Sequence, residues 1–143
     1  MKQTTSTHRS SGGKKLLLGS IALVLLLAGI IAYPKSLSGI LRAEEDTLCV
    51  SSCTVTYDEE GQSSSADGAA LLDGLKQLRL HGPFLHNGTF LNAEQSLFLN
   101  LTYRTSSGET GYAAAQVTLT QERTYVKIGR WMYVSSSDLR DFL

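Results

Sequence analysis

The hydrophobic positions of this chain form two patterns, one unbroken apolar run near the N-terminus and several amphipathic segments after it. The run, Leu16–Tyr33, holds 18 uncharged residues, and 11 of them are Leu, Ile or Val. As a helix it would rise roughly 27 Å, close to the hydrocarbon thickness of a bilayer. Lys and Arg, but no acidic residue, precede it. The pattern predicts a single-pass transmembrane helix that contacts the membrane through Leu16–Tyr33, with residues 1–15 as a disordered basic tail in the cytoplasm.

The main alternative is a signal peptide that is removed, which would make the remainder a secreted interaction module. Ser36-Leu37-Ser38 before Gly39 offers small residues of the kind found at a cleavage site. The apolar run is longer than the roughly 7–15 residues of a usual signal-peptide core. Its length therefore favours an uncleaved signal anchor, a location in the cell membrane, and an extracytoplasmic domain after the run.

A second helix is predicted over Asp67–Leu80, where leucines recur with helical spacing. Ser65 or Asp67 can cap its first N–H groups, and Gly82-Pro83 is a strong stop signal. The leucines should lie on one side of the helix and pack against another element: Leu71, Leu72, Leu75 and Leu78.

The remaining apolar positions alternate with polar ones, as they do in half-buried strands. In Gln95–Arg104, Leu97, Leu99 and Leu101 should face inward, and Phe98 and Asn100 should face the other way. The other predicted strands are Cys53–Tyr57, Tyr112–Thr120, Thr124–Ile128 and Trp131–Val134, followed by a helical turn over Asp138–Leu143.

This element order predicts an α+β fold: a transmembrane helix, then a small antiparallel sheet of about four or five strands packed with one main helix and a short C-terminal turn. We expect the helix at 16–33, a stalk at 34–46 and one domain at 47–143. Residues 44–143 carry 7 Lys or Arg against 13 Asp or Glu, a net charge of −6. That sign argues against nucleic acid as a partner.

Cys49 and Cys53 are the sharpest local feature, and outside the cytoplasm a disulfide is the expected state of such a pair. On an extended strand the two would stand roughly 13 Å apart, beyond the reach of a bond. A disulfide therefore requires Val50-Ser51-Ser52 to form a turn. Free or intermolecular thiols, and redox or metal chemistry, are the alternatives.

The motifs of catalysis are weak in this sequence. His81 and His86 flank a predicted loop and could serve a metal, but their spacing does not demand it. No Gly-x-Ser-x-Gly elbow or phosphate-binding glycine loop occurs. We therefore expect no catalytic residues, no metal and no cofactor. Asn87 and Asn100 head N-glycosylation sequons, which matter only in a eukaryotic source.

The C-terminal segment TYVKIGRWMYVSSSDLRDFL resembles the ending of small uncharacterised membrane-anchored or secreted extracytoplasmic domains of Gram-positive bacteria. There, a hairpin with a glycine turn and an aromatic strand precedes a short final helix. With the predicted anchor, the Val-Thr-Tyr-Asp strand and the Leu-rich helix, the resemblance covers most of residues 47–143. It implies neither a substrate nor catalytic residues.

These patterns together predict a membrane-anchored domain that binds or senses a protein or cell-envelope partner and has no catalysis of its own. Anchoring would raise its effective concentration against a partner in the same membrane. The alternatives are a small redox or metal-binding protein that uses Cys49/Cys53 or His81/His86, and a cleaved secreted module.

Overall fold

The computed structural model of the chain describes residues 12–57, 63–65, 67–85 and 93–142. It divides into two compact units, Met1–Ile30 and Ile31–Leu143, which are described separately. Helix α1, Gly12–Ala32, begins in the first unit and its described leucine side chains are exposed. All other elements belong to the second unit.

The predicted transmembrane helix is wrong. Among the described residues, no helix combines the length and apolar character that crossing a bilayer requires. Helix α1 has 21 residues, but its first four are Gly-Gly-Lys-Lys and it ends before Tyr33, which leaves 17 uncharged residues. The structure therefore does not support the prediction of a single-pass protein with a cytoplasmic N-terminus and its domain outside a cell membrane.

The second unit is built on one antiparallel sheet of seven strands. In space the strands follow the order β2-β1-β4-β5-β6-β7-β3. Two helices accompany it, α2 (Leu37–Leu41) and α3 (Gly68–Gln77), with 3₁₀ turns at Glu45–Thr47 and Leu139–Phe142. The strands are β1 (Cys49–Tyr57), β2 (Ser63–Ser65), β3 (Leu80–Leu85), β4 (Ala93–Arg104), β5 (Thr110–Thr120), β6 (Thr124–Ile128) and β7 (Trp131–Ser135).

The sheet has seven strands where the sequence predicts four or five, because two short strands lack the usual pattern. Strand β2 consists of three serines and has no apolar alternation. Strand β3 contains Gly82-Pro83, which indicates a break in the middle of a sheet. It is an edge strand, however, and its register with β7 shifts between His81 and Phe84. Proline is tolerated at such a place because an edge strand need not donate on both sides.

The strong alternation of β4 and β5 sets the architecture. Leu97, Leu99 and Leu101 are buried, whereas Phe98 and Asn100 between them are exposed. Strand β5 pairs with β4 over its whole length. The hairpin β6–β7 turns through Gly129, whose φ of +59° fits the first position of a type II′ turn. The predicted strands of this region are confirmed.

The hydrophobic core lies between one face of the sheet and helices α2 and α3. The leucine stripe of α3 and the inward leucines of β4 belong to one buried cluster, as predicted. Helix α3 begins at the N-cap Asp67, whose carboxylate accepts from the N–H groups of Ala69 and Ala70. Leu37 of α2 is also in the core, so residues expected in a stalk contribute to the domain.

Leu75 offers a direct test of this packing. Its side chain is 1% exposed at the centre of the α3 stripe. Leu75→Ala should lower the free energy of unfolding by about 2–5 kcal/mol, because apolar contacts are lost and a cavity remains. Urea denaturation measures it, with Gln77→Ala on the exposed side of α3 as control. An unchanged midpoint for Leu75→Ala would show that α3 does not belong to the core.

Candidate functional site: the open face of the sheet

Because side chains alternate along a strand, the core with helices α2 and α3 occupies one face of the sheet, and neither of these two helices covers the other face. We call the latter the open face. Its central row runs from β1 to β3 through six strands, each residue being the Cα partner of the next: Thr54, Phe98, Gln116, Lys127, Met132 and Phe84. One flanking row holds Ser52, Asn100 and Ala114, and the other holds Ser96, Thr118, Tyr125, Val134 and His81.

The open face carries large apolar side chains in contact with solvent. Phe98, the second residue of the central row, is 46% exposed. Tyr112, one row beyond Ala114 on β5, is 75% exposed. Aromatic residues carry much of the binding energy of protein interfaces. Exposed aromatic side chains such as Phe98 and Tyr112 mark a candidate binding surface.

A shallow groove of about 320 Å³ lies on the open face beside Phe98. Its polar side chains come from Thr54, Asn100, Gln116 and Lys127. The small side chain of Ala114 and the glycine of the β6–β7 turn leave room between them. The groove thus combines one aromatic ring, two carboxamides and one cation.

Hydrogen bonds from β1 hold Asn100 in place. Its Nδ2 donates to Ser52 Oγ at 2.7 Å, and its backbone oxygen accepts from Ser51 Oγ at 2.9 Å. Ser51 is the extra residue where the register of β1 against β4 shifts, between Val50 and Ser52. The bulge therefore turns a second hydroxyl toward β4 and fixes this side of the groove.

Lys127 is the one Lys or Arg side chain in the three described rows of the open face. These rows also contain His81 and, within the described residues, no Asp or Glu. The ion pairs of the described chain both belong to Arg140, with Glu94 at 2.8 Å and Asp138 at 3.0 Å. Lys127 therefore has no carboxylate partner among these residues.

The Arg140 cluster is structural. Its guanidinium also donates to Thr120 O, so it joins the last turn to the start of β4 and the end of β5. Partial burial raises the pKa of Asp138, but the hydrogen bonds and charge of Arg140 outweigh that effect and hold this pKa below its ordinary value.

The predicted disulfide between Cys49 and Cys53 is wrong, since both thiols are free. The intervening residues form no turn. They continue strand β1, in which Val50 and Ser52 pair with β4 and Ser51 is the bulged residue. The bulge at Ser51 also moves the two cysteines to opposite faces. Cys49 pairs with Thr102 and is exposed, whereas Cys53 pairs with Leu99 and is buried. Separation and orientation together exclude a bond in this fold.

The histidine alternative gains no support from the described residues. His81 lies on β3, and its Nδ1 is 2.9 Å from the carbonyl oxygen of Ala32. A second pocket of about 290 Å³ includes His81, Glu122 and Ser135. Ser135 Oγ accepts from the N–H of Ser137, and no hydrogen bond in the described chain joins it to His81. No group of three metal-ligating side chains occurs among the residues described. His86 and Asn87 lie outside them.

Comparison of the chain with protein-family models, with curated proteins and with solved structures gave no match. The resemblance of the C-terminal segment to Gram-positive extracytoplasmic domains stays a prediction. Function is therefore argued from the geometry of the site alone.

The sequence reasoning did not select the residues of the groove as a site. The available signal was a Phe at a position of β4 where the alternation predicts a polar side chain. Nothing in the sequence marks Gln116 and Lys127 as site residues, because only the strand register places them beside Phe98.

The two cysteines should differ in reactivity. Cys49 is exposed, whereas burial raises the pKa of the Cys53 thiol and shields it. Since the thiolate is the reacting species, we expect one fast and one slow thiol in the native chain, and two fast thiols in denaturant. Titration with a chromogenic disulfide reagent measures this. A chain that shows no reactive thiol until it is reduced would contradict the structure.

Two buried threonines make a matched pair, Thr118 in a flanking row of the open face and Thr124 at the start of β6. Thr118 is 1% exposed and its Oγ1 has no hydrogen-bond partner in the described part of the chain. Thr124 is 0% exposed, but its Oγ1 accepts from the N–H of Leu139 at 3.0 Å. Thr118→Val should raise the free energy of unfolding by about 1 kcal/mol, and Thr124→Val should lower it by about 1–3 kcal/mol. Urea denaturation distinguishes the two, and shifts in the same direction would contradict this assignment.

Proposed function

We propose that residues 31–143 form a non-catalytic binding domain and that its open face is the surface that contacts a protein partner. The observation that carries the proposal is Phe98, a large aromatic side chain that is 46% exposed in a row that crosses six strands.

The chemistry of the groove supports binding. Aromatic residues are enriched at binding hot spots, where an apolar side chain becomes desolvated inside a rim of polar groups. Phe98 has such a rim, formed by Thr54, Asn100, Gln116 and Lys127. These side chains can orient a partner through hydrogen bonds, and none of them lies in a nucleophile–base pair within the described structure.

The rigidity of the site also supports binding. Phe98 and Gln116 lie on the two longest strands, which are paired along their whole length, so the contact surface is held by the backbone ladder. A preordered surface loses little conformational entropy when it associates. The open face is therefore suited to recognition without rearrangement.

Photo-cross-linking in the cells that produce the protein tests the proposal. A benzophenone amino acid at position 116 of the full chain should form a discrete adduct, because Gln116 is the Cα partner of Phe98. Phe98→Ala should weaken that association by about 2 kcal/mol, roughly thirty-fold in affinity, and remove the adduct.

Two controls make the result specific. Leu85→Ala removes a more exposed apolar side chain, 69% exposed, outside the three rows and should leave the adduct unchanged. The same photo-reactive residue at position 77, on the exposed side of α3, should give no such adduct. The proposal fails if position 116 gives no adduct, or if the adduct persists in Phe98→Ala.

A further inference from the structure

We infer that the open face recognises an acidic polypeptide segment, whose carboxylates meet Lys127 while its apolar side chains cover Phe98. This inference rests on the proposed function, since it names the chemistry of the partner for the same surface.

Charge is unevenly distributed over the domain. Residues 31–143 carry 9 basic and 13 acidic residues. Despite that excess of acid, the three rows of the open face contain no Asp or Glu among the described residues. The next rows of β4–β5 pairs, as far as Arg104 and Thr110, add one cation and no carboxylate. At the opposite margin, Glu122 lines a pocket together with His81 and Val134. The part of the open face around Phe98 and Lys127 is therefore positive within an acidic domain and is complementary to an acidic partner.

The position of Lys127 also favours an acidic partner. It is half-buried in the central row, between its Cα partners Gln116 and Met132. Its amine has no carboxylate partner in the described chain. Lys127 and Phe98 line the same groove. A ligand that places a carboxylate next to an apolar side chain therefore meets both groups at once.

A protein segment fits this face better than a nucleic acid or a small molecule does. A nucleic acid presents a dense line of negative charge, which residues 31–143, with a net charge of −4, would repel. Small-molecule sites bury most of their ligand, whereas this groove is shallow and open. The central row spans six strands, or about 24 Å at the usual strand spacing, which an extended peptide of about seven residues would cover.

A random peptide library displayed on phage and selected on the immobilised full chain tests the inference. The enriched peptides should carry an excess of Asp and Glu next to apolar residues. Their binding should be lost in Phe98→Ala and should weaken as salt is raised, since exposed charges are screened within about 8 Å at physiological ionic strength.

Charge reversal locates the acid-binding group. Lys127→Glu should weaken the enriched peptides roughly ten-fold. Arg79→Glu, at an exposed residue between α3 and β3, changes the net charge by the same amount and should leave the affinity unchanged. Circular dichroism confirms that both variants fold, and Lys127→Gln gives a second, milder test of the same contact.

The outcomes separate the inference from the proposal beneath it. Neutral or basic peptides that bind in a Phe98-dependent manner would overturn the acidic partner and leave the open face as the binding surface. Acidic peptides that bind Lys127→Glu as well as the native chain would also overturn it. If no enriched peptide depends on Phe98, both the inference and the proposed function fail.

Discussion

The alternation of strand β4 is the constraint on which the rest of the structure depends. Leu97, Leu99 and Leu101 are buried because β4 turns every second side chain toward α3 and the core. The same alternation turns Phe98 and Asn100 to the opposite side. Since β1 and β5 pair with β4 on either side, its register decides which of their residues join the core. The core and the open face are two consequences of one pattern.

The pattern shows where sequence reasoning succeeds in this chain. Strands β4 to β7 have clear alternation and turns rich in glycine or polar residues, so their positions and inward faces could be predicted. The leucine stripe of α3 was equally legible. Phe98 was placed on the right face as well, but its partners across the sheet depend on the strand order. A sequence pattern without contacts does not determine that order.

The failures have physical causes too. Strand β3 was missed because Gly82-Pro83 resembles a break, although an edge strand tolerates it. The disulfide was expected from two nearby thiols, but pairing with β4 keeps β1 extended and its bulge separates the cysteines. The membrane prediction counted an apolar run without its helix boundaries, and the helix begins with Gly-Gly-Lys-Lys and ends at Ala32. In each case the deciding factor was a boundary or a partner strand.

The central claim is that the open face is free in the isolated chain and covered when the protein is at work. Hydroxyl-radical footprinting, compared between the purified full chain and the producing cells, tests it most directly. Phe98, Tyr112 and Met132 should be oxidised in the purified chain and protected in cells. The exposed side of α3 should be modified equally in both. Equal oxidation of Phe98 in both settings, or protection confined to the helix side, would contradict the account.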